Sequence, residues 1–327
     1  MRNTLSIGIT LFLINHTLYA DSLASKIDMI INKQLPDATV SVLVKDAKNG
    51  HIIFKRNANK LLSPASNMKL FTAAAAFYYW QPEHYFKTKL LQKQQNYYIH
   101  FGGSPSLTTA NLNSLLTYFY THNIKKINGS IVLDTSLFKP PYYPDGTSYD
   151  DLGWYYAAPT TAVVLNDNAA PYQLTTSTAL GKPTSLHSVR DRPKINIINE
   201  VITVNKENNC GMHIDIKPKN TLHLYGCAVQ SDKPKLLQFA ITDPEYLAQQ
   251  IIAEALQQNG IQFTGRIING VTPQDAQVLA ELRSEPVAKL VYHMLQESDN
   301  VYAGNLSKQL AYALTKEGTN KQAIKAL

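Results

Sequence analysis

Helical patterns at both ends of the chain enclose a long middle stretch that is rich in strand-forming residues. Residues 22–34 carry apolar side chains at helical spacing, and helical patterns return after Asp243-Pro244. Between about 85 and 240 the sequence shows short alternating runs separated by Gly, Pro and Asn, which is typical of strands and turns. This order predicts an α/β domain with a helical part, interrupted by a long β-rich insertion.

Local signals place several elements within this frame. The stretch "TVSVLVKDAKNGHIIFKRN" predicts two strands joined by a turn at Asn49-Gly50. An alanine-rich apolar helix is expected from about Ser66 to Trp80, and the helix "TANLNSLLTYFYTHN" interrupts the strand-rich middle. After Asp243-Pro244 the pattern returns to helix, and the first of three expected helices has an N-terminal Asp and a terminal Gly.

The N-terminus "MRNTLSIGITLFLINHTLYADS" predicts a secretory signal peptide over residues 1–20. Arg2 supplies the basic start, Leu5 to Ile14 the apolar core, and cleavage is expected after Ala20. An N-terminal strand or an anchor helix is the alternative. No later stretch approaches the roughly 18 apolar residues that a membrane span needs. The expected location is therefore the periplasm.

The two cysteines, Cys210 and Cys227, flank two alternating runs and can pair across a hairpin. Closing a loop of this size by a disulfide stabilises a fold by about 3 kcal/mol in the chain-entropy model. An exported chain meets the oxidising conditions in which such a bond persists. Two buried free thiols are the alternative.

The charge pattern limits the partners. The formal net charge is +7, but the basic residues are scattered and form no run. We therefore expect no binding to nucleic acid. The charge is compatible with a weak association with anionic membrane surfaces or cell-wall polymers. We expect no metal and no cofactor.

Chemistry is suggested by "SPASNMKL", in which Lys69 follows Ser66 by one helical turn. Side chains at i and i+3 of a helix are neighbours, so the amine can reach the hydroxyl. A serine needs a neighbouring base to act as a nucleophile. Apolar walls, here Leu70, Phe71 and the alanines, would favour the neutral amine and make it a useful base. The alternative is a helix-capping serine beside a solvated lysine.

A second motif, Ser298-Asp299-Asn300, lies in "LQESDNVYAGN" at the junction of two helical patterns. The serine hydroxyl can shuttle a proton, and the asparagine amide can orient a lysine and a substrate. An ordinary helix cap is the alternative reading of the triplet.

Ser-x-x-Lys followed by Ser-Asp-Asn resembles two of the three motifs of penicillin-binding proteins and serine β-lactamases. The chain is similar to the D-alanyl-D-alanine carboxypeptidase/endopeptidase family of penicillin-binding protein 4 type, the class C low-molecular-mass group. The resemblance covers about residue 22 to the last residue. It rests on these segments: "PASNMKLFTAAAAF", "INGSIVLDTSLF", "YYAAPTTAVVLNDN", "DPEYLAQQIIAEALQQNGI" and "MLQESDNVYAGNL".

The resemblance implies an α/β (α+β) transpeptidase domain, similar to those of penicillin-binding proteins and serine β-lactamases, with a large β-rich insertion. Residues 21–80 and 240–327 would form the discontinuous catalytic domain. Residues 81–239 would form the insertion, in two subdomains.

The resemblance also implies roles for individual residues. Ser66 would be the acylated nucleophile, Lys69 its base, and Ser298 and Asn300 the rest of the proton relay. The segment "DDLGWYY" resembles the part of the insertion that faces the cleft. It would place Asp151 against a substrate ammonium and Tyr156 as an apolar wall. A solvated loop carboxylate is the alternative for Asp151.

The activity implied is that of a serine-type D-Ala-D-Ala carboxypeptidase/endopeptidase acting on peptidoglycan stem peptides, with β-lactams as covalent inhibitors. The third motif of the family, Lys-Thr-Gly, does not occur in the 327 residues. We therefore expect a chain truncated before that motif, incomplete at its C-terminal strands and of uncertain activity. The alternatives are a catalytically inactive remnant or peptidoglycan-binding module, and a β-lactamase.

Overall fold

The structure is a computed structural model that describes residues 23–189, 195–207 and 210–327. The chain divides into two compact units, Met1–Ala65 and Ser66–Leu327. The predicted signal peptide, residues 1–20, lies outside the described residues. Among the helices of the described residues, none has the length and apolar character that a membrane crossing requires.

The first unit contains the predicted hairpin. Helix α1 (23–34) precedes β1 (Val42–Lys45) and β2 (Ile52–Arg56), which pair antiparallel. Gly50 has a φ of +75° in the turn, a conformation that glycine adopts without steric cost. The turn predicted at Asn49-Gly50 is therefore confirmed.

The second unit combines helices with several sheets. Its α-helices are α2 (Lys69–Tyr79), α3 (Thr109–Thr121), α4 (Pro244–Gln258), α5 (Val287–Gln296), α6 (Asn300–Thr315) and α7 (Asn320–Ala326). Its strands up to residue 204 are β3 (Lys87–Lys93), β4 (Asn96–His100), β5 (Lys126–Ile127), β6 (Ile131–Asp134), β7 (Ala169–Thr175), β8 (Ser185–Ser188), β9 (Asn196–Asn199) and β10 (Ile202–Val204). The later strands are β11 (Met212–Lys217), β12 (Thr221–Val229), β13 (Lys235–Ala240), β14 (Gln262–Phe263), β15 (Ile267–Asn269) and β16 (Gln277–Arg283).

The central sheet of this unit has five strands in the order β15-β6-β4-β3-β16. Strand β6 runs parallel to β4 and β15, whereas β3 pairs antiparallel with β4 and β16. Helices α3 and α4 contribute apolar side chains to the same buried cluster as the strands, including Leu112, Phe119, Ile252, Leu90, Ile99 and Leu133. This cluster is the main core of the unit.

The three helices expected after Asp243 are present as α4, α5 and α6, but residues 262–283 between the first two form strands β14, β15 and β16, which were not predicted. These strands pair with β5, β6 and β3, which lie more than a hundred residues earlier in the chain. Their pairing depends on distant partners, which leave no local pattern. The central sheet thus joins strands from both sides of residue 240. The division into 21–80, 81–239 and 240–327 stays a prediction.

Besides the two-stranded sheet of β5 and β14, the remaining strands of this unit form two further sheets. Strand β7 lies between β13 and β8 in an antiparallel sheet, and β12 pairs antiparallel with β11 and parallel with β9 and β10. A disulfide joins Cys210, just before β11, to Cys227 in β12, with Cα atoms 5.8 Å apart. The disulfide predicted from the cysteine spacing is therefore present.

Helices α2, α5 and α6 share a separate buried cluster that includes Ala73, Ala76, Leu290, Met294 and Leu306. The buried residues of α2 are Lys69, Thr72, Ala73 and Ala76, which recur at the spacing of one helix face. The opposite face exposes Leu70 and Phe71, each 58% exposed. The expectation that these two side chains would wall off the Lys69 amine is therefore wrong.

Helix α6 also holds the segment 138–161 that contains Tyr156. Lys308 is fully buried, and its Nζ donates to the carbonyls of Pro141 (3.2 Å) and Thr160 (2.9 Å). Asn305 Nδ2 donates to the carbonyl of Thr161 at 3.1 Å. One helix therefore fixes both ends of this segment.

Replacing Gly304 of α6 by alanine is expected to destabilise the protein. The added Cβ would lie 2.3 Å from Thr160 Cγ2, and the Thr160 hydroxyl is already bonded to the Tyr142 carbonyl at 2.8 Å. Overpacking costs about 1–3 kcal/mol, which outweighs the 0.5–1 kcal/mol or so that alanine gains over glycine in a helix. Denaturant unfolding measures the change. Gly211→Ala is the control, because an added Cβ there meets nothing within 4 Å. Equal free energies of unfolding for the two variants would contradict the close packing of Gly304 against Thr160.

Burial of Lys308 predicts a pH-dependent contribution to stability. Desolvation lowers the pKa of the Lys308 amine to about 8, well below that of an exposed lysine. Above pH 8 the folded state binds fewer protons at this site than the unfolded state. The free energy of unfolding therefore rises with pH, by at most about 1.4 kcal/mol per pH unit, until the unfolded amine also deprotonates.

Urea unfolding between pH 7 and 9.5 tests this expectation. The free energy of unfolding of the wild type minus that of Lys308→Met should increase over this range. Lys321→Met removes an exposed lysine from α7 and controls for the loss of a positive charge. A pH-independent difference between wild type and Lys308→Met would contradict the prediction.

Candidate active site

Ser66 and Lys69 meet where one type of helix changes into another. Ser66 lies in a 3-10 helix, Ala65–Met68, and Lys69 is the first residue of α2. Side chains at i and i+3 of a 3-10 helix lie nearly above one another. Lys69 Nζ accordingly lies 3.1 Å from Ser66 Oγ. This local geometry follows directly from the Ser-x-x-Lys spacing.

The structure brings the second motif to the same place. Lys69 Nζ donates to Asn300 Oδ1 at 2.6 Å and lies 3.5 Å from Ser298 Oγ. Ser298 Oγ is 2.8 Å from Ser66 Oγ. The side chains of Ser66, Lys69, Ser298 and Asn300 therefore form one hydrogen-bonded cluster.

The amine of Lys69 is held away from solvent, with 7% of the residue exposed. Desolvation lowers the pKa of this amine, and the negative charge of Asp299 partly offsets the effect. The hydroxyls and the amide oxygen around Lys69 are neutral groups. A buried amine with a lowered pKa can accept a proton from a neighbouring hydroxyl at a lower pH than an exposed lysine.

The Ser-Asp-Asn triplet forms the connection between α5 and α6. Ser298 has a φ of +53°, in the left-handed region. Asp299 Oδ1 accepts a hydrogen bond from the Tyr302 N–H at 3.0 Å and caps α6. The middle residue is thus the helix cap, while its two neighbours face Lys69. The helix-cap reading of the triplet therefore applies to Asp299, and the reading as groups around a lysine applies to Ser298 and Asn300.

The segment "DDLGWYY" reaches this cluster through its main chain. Asn300 Nδ2 donates to the carbonyl of Tyr156 at 2.8 Å, so the amide of Asn300 bridges Lys69 and this segment. The phenol of Tyr156 donates to Asp151 Oδ1 at 3.0 Å. Tyr156 therefore lies directly beside the cluster, and Asp151 is one side chain further away.

A cavity of about 280 Å³ adjoins the cluster on the side of Ser298. It is lined by Tyr155, Tyr156, Asp167, Ala169, Gln238, His293, Glu297, Ser298, Asp299, Asn300 and Val301. The sequence analysis did not identify Asp167 and His293 as site residues. The run Asn166-Asp167-Asn168 is a sequence signal for an unusual backbone conformation, because Asn and Asp adopt left-handed φ values more readily than other residues. In the structure all three residues have left-handed φ values.

The arrangement has the parts that acyl transfer needs. Ser66 is exposed and can meet a carbonyl carbon, while Lys69 is within hydrogen-bond reach of its hydroxyl. Ser298 lies within reach of the Ser66 hydroxyl and can pass a proton onward. A nucleophile, a base and a positioned third group are the constellation of a covalent mechanism.

Comparison with known proteins gives a family. A family model described as D-Ala-D-Ala carboxypeptidase 3 (S13) matches residues 23–327. The chain is 29% identical over 293 residues to "D-alanyl-D-alanine carboxypeptidase DacB" of Haemophilus influenzae, covering 86% of this chain and 61% of the relative. It is 26% identical over 316 residues to "D-alanyl-D-alanine carboxypeptidase" of Actinomadura sp. strain R39, covering 91% and 59%. The chain thus spans about three fifths of the length of these relatives.

The structure is similar to a crystal structure of penicillin binding protein 4 (dacB) from Haemophilus influenzae. The TM-score is 0.82 at 28% identity, covering 91% of this chain and 68% of that chain. A second crystal structure of that protein, complexed with a β-lactam, gives a TM-score of 0.75 at 27% identity and covers 91% and 67%. The penicillin-binding, transpeptidase-like fold expected from the resemblance is confirmed.

Proposed function

Because the chain belongs to the D-Ala-D-Ala carboxypeptidase 3 (S13) family, we propose that it acts as a serine-type D-Ala-D-Ala carboxypeptidase/endopeptidase on peptidoglycan stem peptides. The observation that carries this proposal is the contact of the buried Lys69 amine with Ser66 and Asn300. It gives an exposed serine a base with a lowered pKa, which a capping serine beside a solvated lysine would lack.

The proposed reaction begins with attack of Ser66 Oγ on the carbonyl carbon of the penultimate D-alanine. Neutral Lys69 accepts the hydroxyl proton, and Ser298 carries a proton toward the departing amine of the terminal D-alanine. The bond between the two alanines breaks, leaving an acyl-enzyme on Ser66. A water molecule, deprotonated through the same relay, then hydrolyses the ester and restores the Ser66 hydroxyl.

The segment next to Asn300 is proposed to receive the stem peptide. Tyr156 is 42% exposed and offers an aromatic surface beside the cluster. The Asp151 carboxylate lies next to the phenol of Tyr156 and supplies negative charge for a substrate ammonium. We propose a periplasmic location, with at most a weak association with the membrane surface, because the N-terminal segment has the pattern of a signal peptide.

Acylation of Ser66 by a fluorescent penicillin is the first test, since a β-lactam is bound in a structure of a relative. We expect the 327-residue chain to be labelled covalently and Ser66→Ala to show no labelling. Opening of the lactam ring by Ser66 Oγ needs a nucleophile and a proton relay, and the side chains proposed for both are present in the described residues. Gel fluorescence and mass spectrometry of the labelled peptide give the site.

Ser63→Ala, which removes a serine outside the cluster, is the matched control and should be labelled as the wild type is. Labelling that persists in Ser66→Ala would contradict the nucleophile assignment. Release of D-alanine from a peptide ending in D-Ala-D-Ala then separates the alternatives. A chain that is acylated but releases no D-alanine would favour a peptidoglycan-binding protein over a peptidase.

The pH dependence of this acylation tests the role of Lys69. The rate should rise with pH as Lys69 loses its proton, with a midpoint below 10.5, because burial lowers the pKa of the amine. Asn300→Asp places a carboxylate where the amide oxygen now lies 2.6 Å from Nζ. The added negative charge raises the pKa of Lys69, so the profile should move to higher pH.

Asn300→Ala removes the same contact without adding charge and controls for its loss. It should slow acylation without moving the profile upward. A profile that is identical in wild type and Asn300→Asp would show that Lys69 is not the titrating base.

A further inference from the structure

Three metal-binding side chains converge in the cavity beside Ser298. Asp167, His293 and Asp299 each present one ligand atom, and the three atoms lie within 4.8 Å of one another. All three residues are half-buried. We infer that this group binds a divalent transition-metal ion, with Zn²⁺ as the best match.

The separations fit a zinc site. His293 Nε2 lies 3.5 Å from Asp299 Oδ2. Zinc binds imidazole nitrogen and carboxylate oxygen at about 2.0–2.2 Å, so neighbouring ligands of a tetrahedral ion lie roughly 3.4 Å apart. Two of the ligand atoms are thus already at the required distance. The ligand atom of Asp167 lies within 4.8 Å of both, and all three residues line the cavity.

The ligands are held by groups behind them. Asp299 uses Oδ1 to cap α6, which leaves Oδ2 directed toward His293. The ring of His293 packs against the ring of Tyr302 with centroids 4.2 Å apart. The phenol of Tyr302 interacts in turn with the carboxylate of Asp167. Partners of this kind orient metal ligands and strengthen binding.

The charges and donor types favour a cation of this class. Two carboxylates this close repel each other, and a divalent ion between them removes the repulsion. An imidazole nitrogen with two carboxylate oxygens suits zinc better than calcium or magnesium, which bind mainly through oxygen. Glu297 lines the same cavity and adds a further negative charge.

A second histidine, His223, shows that one histidine beside two carboxylates does not by itself form a metal site. His223 also contacts two carboxylates, Glu200 through Nε2 at 2.8 Å and Asp215 through Nδ1 at 3.9 Å. These carboxylates lie against different ring nitrogens, so one ion cannot bind both together with the ring. His223 therefore provides a matched control for His293.

Zinc binding by the untagged protein tests the inference, with isothermal titration of ZnCl₂ at pH 7.5 as the measurement. We expect one site in the wild type. His293→Gln and Asp167→Asn should each weaken binding at least tenfold, since even loss of an outer-shell partner costs about 10–100-fold. His223→Gln should bind as the wild type does. Circular dichroism verifies the fold of each variant.

Asp167→Asn keeps the shape of the side chain and its ability to bond the Tyr302 phenol. It therefore tests the metal site even if His293→Gln does not fold. The absence of binding at millimolar zinc would overturn the site. So would equal affinity in wild type and Asp167→Asn, or a loss in His223→Gln as large as that in Asp167→Asn. The site does not depend on the proposed peptidase reaction, because binding is measured without substrate.

Discussion

The hydrogen bond from the Lys69 amine to the amide oxygen of Asn300 is the contact on which the site depends. A buried amine without partners is costly, and besides the neighbouring Ser66 hydroxyl, Lys69 finds its partners Ser298 and Asn300 where α5 meets α6. The packing of α2, α5 and α6 therefore determines whether the Lys69 amine meets Ser298 and Asn300. A change that separates α2 from α6 would break the contact between Lys69 and Asn300 and expose the amine to water.

Helix α6 links this contact to the rest of the second unit. Its first residue, Asn300, bonds both Lys69 and the Tyr156 carbonyl, and its later residues Asn305 and Lys308 bond the segment 138–161. Gly304 allows that segment to approach closely. One helix, α6, therefore contacts both the Lys69 amine and the segment proposed to receive the peptide. Small rotations of α6 would affect both at once.

Sequence patterns were informative where a contact is local. The spacing of Ser66 and Lys69 predicted their contact, because neighbours on a helix turn meet whatever surrounds them. The cap at Asp243 and the hairpin at Gly50 were also predicted from residues within a few positions. The meeting of Ser298 with Ser66 was suggested by family resemblance, since nothing in either stretch specifies the other.

Other features depend on contacts that no short stretch records. Strands β14–β16 are short, and each pairs with a partner far away in the chain, so they were missed. The burial of Lys69 was expected from Leu70, Phe71 and the alanines; Leu70 and Phe71 are exposed, whereas Lys69 lies on the buried face of α2 together with Ala73 and Ala76. Asp167 and His293 lie far apart in the sequence, and only the fold places both beside Ser298.

The central sheet has a consequence for how the protein reaches its native state. Strands β3 and β6 find their partners β16 and β15 only after more than a hundred further residues have been synthesised. Closing such long loops is entropically unfavourable, and folds dominated by distant contacts form slowly. Until β15 and β16 arrive, the edges of β6 and β3 stay open to other strands. The nascent chain would therefore remain incompletely folded until residues 267–283 have been synthesised.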